Sequence, residues 1–208
     1  MPWPMVHFSI AYEMFEGNPC NEFLLGSIAP DAVQLRNDKI SKAKSHLHHS
    51  RGECPDWSGL VDFYYTKVND SKDDGFKMFL LGYVSHIIAD DLWVKYKHEL
   101  SGSDKRVLKT LWDEENKYDF HLKRTVPWRD VVEEQVTDSA LYILSDLYNL
   151  DELDHWRRHA FIWLHTPGNE LLIENQYLDD SNAGAFIEET ASTISGWMKA
   201  NVIYCGSE

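Results

Sequence analysis

Residues 79–93 read FLLGYVSHIIADDLW. The apolar spacing predicts a central helix over 75–99, buried enough that polar side chains inside it need a reason. Two such side chains are His86 and Asp90. Residues four apart stack on one helix face, about 6 Å up the axis. Gly82, His86 and Asp90 therefore share a face, with Leu81, Ile87 and Trp93 on the apolar faces beside it. An imidazole nitrogen and a carboxylate oxygen at this spacing can converge on one divalent metal, or the carboxylate can bridge two. Gly82, one turn earlier, leaves room for another segment. Taken alone, HxxxD reads more often as a core histidine bonded to a nearby aspartate. The same FLLG tetrapeptide also stands at 23–26. The echo suggests two helices that each need a glycine where something approaches closely.

Outward from this helix the spacing stays helical. MVHFSIAYEMF (5–15) places Val6, Ile10 and Met14 on one stripe. EFLLGSIAP predicts a short apolar helix stopped by Pro30. Residues 33–55 are polar and poorly periodic, so a long loop with short helical pieces is expected. DWSGLVDFYYTKV (56–68) predicts a helix capped by its leading aspartate. Ser-Gly-Ser at 101–103 breaks the central helix, and Ser103 is the expected cap of the next, over 103–122. Pro127 suits the first turn of a helix to about Leu147. Asp151 is the expected cap of another, broken at Pro167-Gly168. NELLIENQYL and AGAFIEETASTISGWMKANVIY are expected to close the chain as helices. No stretch alternates with period two between hairpin turns. The expectation is an all-α, single-domain multi-helix bundle over 1–208, with C-terminal helices within 127–204.

Composition narrows the function. Asp and Glu number 34 against 20 Lys and Arg, a formal net charge of −14 in 208 residues. That field repels nucleic acid and anionic membranes at long range, and the chain carries no basic stripe or cationic amphipathic helix. Metal-binding carboxylates would themselves be part of the acidic count. No apolar run approaches the roughly 20 residues of a membrane span. The N-terminal stretch lacks a secretory pattern. Cys20, Cys54 and Cys205 are far apart and form no CxxC pair. A cytoplasmic, reducing location is the expectation.

Further donors accompany His86 and Asp90. His7 lies on the first helix, Asp31 at the corner after Pro30, and His46, His48 and His49 in the SHLHH loop. His, Asp, His, His, Asp is a sufficient donor set for a two-metal hydrolytic site, supplied by several helices as in other bundle-core metal centres. The remaining polar features read as structural. His98 and His121 sit near helix C-terminal ends, where the dipole favours them. His155 and His159 are four apart, yet Arg157 and Arg158 beside them indicate a solvated or interface face. WDEEN (112–116) reads as a solvated face too, and Trp93, Trp112 and Trp128 as core before groove lining.

HFSIA (7–11), FLLGSIAPDA (23–32), KSHLHH (44–49) and FLLGYVSHIIADDLW together resemble the zinc-dependent phospholipase C family, which is related to the single-strand-specific zinc nucleases. The resemblance covers roughly residues 5–122. It implies an all-α fold with an interior cluster of two or three zinc ions that hydrolyses a phosphate ester with metal-activated water. By motif it implies His7, Asp31, His46, His86 and Asp90 as ligands, with His48 an alternative to His46 and Asp90 bridging two ions. Asp31 would also handle the proton of the attacking water, as a catalytic residue.

Two departures stand out. Secreted members use an N-terminal Trp as a ligand, whereas Trp3 here follows Met1 and Pro2. The family's third metal takes a histidine soon after the central aspartate and HxxxE on the next helix. Here Tyr96 and His98 follow Asp90, and the next helix carries Glu115 and Asp119. So oxygen-rich a third site would also admit Mn²⁺ or Mg²⁺. The implied substrate is a small-molecule phosphoester or a phospholipid head group. Two alternatives remain at this point. A nucleotide phosphohydrolase of the HD type needs adjacent His and Asp, and none of the ten histidines precedes an aspartate. A non-catalytic helical binding protein stabilised by metal needs only the ligands.

Overall fold

The computed structural model describes residues 4–36, 57–69 and 71–202. Among them the regular structure is helical, apart from one isolated bridge between Leu144 and Tyr148. In chain order the elements are α1 (Pro4–Met14), α2 (Asn21–Gly26), a 3-10 segment (Ala29–Leu35), α3 (Ser58–Val68), α4 (Asp74–Ser101), α5 (Lys105–Thr125), α6 (Val132–Asp138), α7 (Leu150–His165), a 3-10 turn (Pro167–Asn169) and α8 (Asp180–Asn201). The all-α expectation holds.

Helix α4 is the axis. The Asp73 side chain caps it by accepting from the Phe76 amide, and Gly102 ends it in the left-handed region at φ 53°. From Phe79 to Ala89 every residue is buried. Helix α1 is buried from Pro4 to Tyr12, so the single stripe expected there is too narrow a description. It packs against α8, α5, α2 and α4. A continuous hydrophobic core takes in residues from Met5 to Val202.

The repeated FLLG motif is explained by one contact. A Cβ on Gly26 would fall 2.1 Å from the Phe79 carbonyl oxygen and 3.1 Å from Gly82 Cα. A Cβ on Gly82 would fall 2.2 Å from the Phe23 carbonyl oxygen and 2.8 Å from the Ser27 nitrogen. The two tetrapeptides pack backbone to backbone, α2 across α4, and each glycine makes room for the other strand of the crossing.

Several local expectations need correction. Pro30 does not stop a helix. It occupies the first turn of the 3-10 segment, where its fixed φ suits and its missing N–H costs nothing. Asp104, not Ser103, caps α5, accepting from the Arg106 amide, while Ser103 takes a positive φ of 66°. Asn149, not Asp151, caps α7 in a reciprocal box with Glu152. Asp56, the expected cap of α3, lies outside the described residues. The helix expected from Pro127 to about Leu147 is only α6. Arg157 Nη1 donates to the carbonyls of Val136, Thr137 and Ser139, which satisfies the end of α6 and stops it there. The NELLIENQYL stretch is not a helix. The Gln176, Tyr177 and Leu178 amides donate to the Glu114 carboxylate at 2.8, 2.9 and 2.8 Å, and Asn116 holds the Leu171 amide and the Asn169 carbonyl. WDEEN is accordingly no solvated face: Glu114, Glu115 and Asn116 are buried.

The 3-10 segment is tied to α7 by Arg36, which pairs through Nε and Nη2 with both carboxylate oxygens of Glu152, at 2.6 and 2.8 Å. A third bond runs from Nη2 to the Leu147 carbonyl at 3.0 Å. The hydrogen bond from Arg36 holds the Glu152 carboxyl below its ordinary pKa, although partial burial acts the other way.

Two predictions follow from the packing. Gly26→Ala and Gly82→Ala each destabilise the protein by about 1–3 kcal/mol or more in urea unfolding, as overpacking does. Helix propensity alone would make the same changes stabilising by about 1 kcal/mol, so the sign decides between the two. Glu152→Ala costs about 1–2 kcal/mol at neutral pH through the lost cap and ion pair. Because the folded pKa is depressed, this contribution is present above the unfolded glutamate pKa of about 4.3. It fades as pH falls through the folded value, so wild type and variant converge in acid when unfolding is followed against pH.

Candidate metal centre

Three elements meet where α2 crosses α4. Helix α1 brings His7, α4 brings His86 and Asp90, and the 3-10 segment brings Asp31. His7 and His86 are 3% and 0% exposed, and Asp31 is 5% exposed. The two imidazoles stack with centroids 4.0 Å apart and planes inclined by 14°. Asp90 lies between their outer nitrogens: Oδ1 is 3.6 Å from His7 Nε2, and Oδ2 is 3.5 Å from His86 Nε2. Asp31 Oδ1 is 3.9 Å from His86 Nε2. One donor atom from each of His7, His86 and Asp90 falls within 4.8 Å of the others.

Backbone orients one ring. His86 Nδ1 lies 2.8 Å from the Ser27 carbonyl oxygen. A carbonyl only accepts, so Nδ1 carries the hydrogen and Nε2 faces the carboxylates. Ser27 follows Gly26 directly, so the glycine crossing that seats α2 also sets this ring. Among the described residues, His7 Nε2 and Asp90 Oδ1 are buried and have no hydrogen-bond partner. Buried polar atoms in that condition are rare and costly. An ion between them removes the cost, and two imidazoles with a carboxylate are donor chemistry that suits zinc.

The electrostatics suit His7 and Asp90 as ligands, whereas an ion at His86 would have to displace a proton that the neighbouring carboxylates favour. Burial, with the neighbouring His86, pushes His7 down to about 4. Burial also disfavours a proton on His86, but the Asp90 and Asp31 carboxylates outweigh it and hold its pKa above the ordinary value. Burial opposes ionisation of Asp90, yet His86 and His7 overcome it and hold the carboxyl well below its ordinary range. At neutral pH the cluster therefore offers a neutral His7 and an ionised Asp90, the forms a metal ligand needs.

The other expected ligands are placed differently. Glu115 pairs with Lys97, Nζ to Oε1 at 2.7 Å. Asp119 accepts from the Met5 amide at 2.7 Å, at the N-terminus of α1, and burial drives its carboxyl pKa well up. Neither joins His7, His86 and Asp90 in the donor cluster found among the described residues. His98 is exposed in the last turn of α4. His46, His48 and Trp3 lie outside the described residues. His121, read as structural, pairs with Asp180 at 2.8 Å, and His165 pairs with Glu133 at 2.6 Å. His155 is exposed, and His159 stacks beside Trp156. Trp93 is core, Trp112 is largely exposed, and Trp128 stacks on Tyr12 at the edge of an open groove. Sequence reasoning missed Lys97, whose burial only the fold reveals.

The family model described as zinc dependent phospholipase C matches residues 7–157. The chain belongs to the zinc-dependent phospholipase C family. The match begins on His7 and takes in every donor of the cluster. Neither the curated proteins nor the solved structures include a significant match to the chain. Membership in this phospholipase C family makes the protein a zinc-dependent phosphoesterase, a hydrolase of phosphoric ester bonds, and implies a phospholipid substrate. Among the described residues no helix is long and apolar enough to cross a membrane.

Proposed function

We propose that His7, His86 and Asp90 hold the catalytic zinc and that Asp31 serves the attacking water. The observation that supports this best is a pair of buried atoms, His7 Nε2 and Asp90 Oδ1, that face each other 3.6 Å apart and make no hydrogen bond among the described residues. Zinc bound here supplies a Lewis acid for the phosphoryl oxygen and lowers the pKa of water. The protein supplies the rest. The Ser27 carbonyl fixes the His86 tautomer, and the stack of His7 on His86 fixes both rings. Asp31, on the 3-10 corner tied down by Arg36, is the carboxylate proposed to orient the water and accept its proton.

A second ion requires more donors, and His46 or His48 is the proposed source. The proposed substrate is the phosphodiester of a phospholipid head group or a small soluble phosphoester. The net charge of −14 favours a neutral or zwitterionic surface over an anionic one. The bundle is read as one domain. A reducing cytoplasm is the proposed location, in keeping with three cysteines far apart in sequence. A metal-stabilised binding protein without turnover is the competing reading, and catalysis separates the two.

The test combines elemental analysis with turnover of a generic phosphodiester and of phospholipid vesicles. Wild type is expected to carry stoichiometric zinc and to turn over. His86→Ala and Asp90→Asn are expected to lose zinc and to drop in kcat/KM by more than the roughly 10–100-fold typical of residues that only support a ligand. Stoichiometric zinc without turnover on either substrate class would favour the binding protein.

A further inference from the structure

Lys97 is a lysine inside the protein. Its side chain is 11% exposed and that of Glu115 is 2% exposed, with Nζ 2.7 Å from Oε1. The ammonium lies 5.9 Å from the centroid of the Trp93 ring and 5.6 Å from that of Trp112, within range of a cation–π attraction to each. Lysine is almost never buried unless paired, and taking an ion pair out of water carries a large desolvation cost. A cation has nevertheless been installed here, on the same helix as His86 and Asp90.

The acidic partners explain where it has been installed. Glu115 and Asp119 are one turn apart on α5, and both are buried. Two interior carboxylates at i, i+4 are donor chemistry for a divalent cation. In this chain one oxygen of each carboxylate is engaged from within, while Asp119 Oδ2 is buried with no hydrogen-bond partner among the described residues. Lys97 neutralises Glu115, and Asp119 receives the Met5 amide at the positive end of α1. The carboxylate pair on α5 therefore does not fit a metal ion while Lys97 is in place.

We infer that the Lys97 ammonium is a resident cation standing where a metal ion would otherwise sit at the carboxylates of α5. The chain then loads zinc through the His7, His86 and Asp90 cluster and not through Glu115. An ammonium has no open coordination position, so it balances charge without polarising a substrate oxygen. Unlike an ion, it survives chelation. The inference rests on the proposed metal centre only in that zinc loads that cluster.

Zinc per chain is measured on the full-length protein for wild type, Glu115→Gln, Lys97→His and the Lys97→His/Glu115→Gln double variant. Wild type and Glu115→Gln are expected to carry the same number of ions. Lys97→His removes the ammonium and adds an imidazole beside the carboxylates, so it is expected to carry one ion more, lost again in the double variant. A Glu115→Gln protein that loses an ion relative to wild type overturns the inference, because Glu115 would then already be a ligand. A folded Lys97→His protein with no gain overturns it as well. If Lys97→His does not fold, the Glu115→Gln count decides alone. Wild type without zinc sinks the proposed metal centre instead, and a single ion gained by Lys97→His over that background would still carry the resident-cation inference.

Discussion

The absence of two Cβ atoms governs this protein. Gly26 and Gly82 let α2 and α4 cross with backbone against backbone, closer than any other residue pair would allow. The Ser27 carbonyl reaches His86 Nδ1 because of that crossing. Asp31, in the first turn of the 3-10 corner, then lies within range of His86 Nε2. One steric constraint thus sets the register of two helices, the tautomer of one histidine and the position of one carboxylate. The two FLLG motifs are two halves of one contact, which is why the tetrapeptide occurs twice and not as a longer repeat.

The interior of this bundle holds several carboxylates, and three on α5 meet protein groups. Glu114 receives three consecutive backbone amides. Asp119 receives the amide of Met5, and Glu115 receives Lys97. Glu115 and Asp119 also hold buried carboxylate oxygens that make no hydrogen bond among the described residues, but at His7 and Asp90 two such atoms face each other, an imidazole nitrogen against a carboxylate oxygen. Buried charge that is fully answered builds structure. Buried charge facing an imidazole nitrogen across a gap is an arrangement suited to a cation, and the chain belongs to a zinc-dependent family.

Much of this was legible in the chain, for local reasons. The apolar run around 79–93 dictates a buried helix, and a period of 3.6 places His86 and Asp90 together on it. His7 and Asp31 followed from the motif blocks HFSIA and FLLGSIAPDA. The misreadings share a different cause, which is a partner remote in sequence. Nothing near residue 138 announces that Arg157 will collect the carbonyls at the end of α6. Nothing in NELLIENQYL announces that Glu114, some 60 residues earlier, will take its amides, so its apolar content reads as a helix. WDEEN looks solvated because composition does not disclose that another segment lies on top of it. The cap assignments at Ser103 and Asp151 missed by one and two residues for a smaller reason: neighbouring polar residues compete for a helix end, and backbone conformation selects among them.

The most direct measurement of the central claim is an anomalous difference map at the zinc absorption edge from crystals of the zinc-loaded protein. The account predicts a peak in bonding contact with His7 Nε2, His86 Nε2 and a carboxylate oxygen of Asp90, with none between Glu115 and Asp119. A cluster without density, or an ion held by Glu115 with Lys97 turned away, would contradict it.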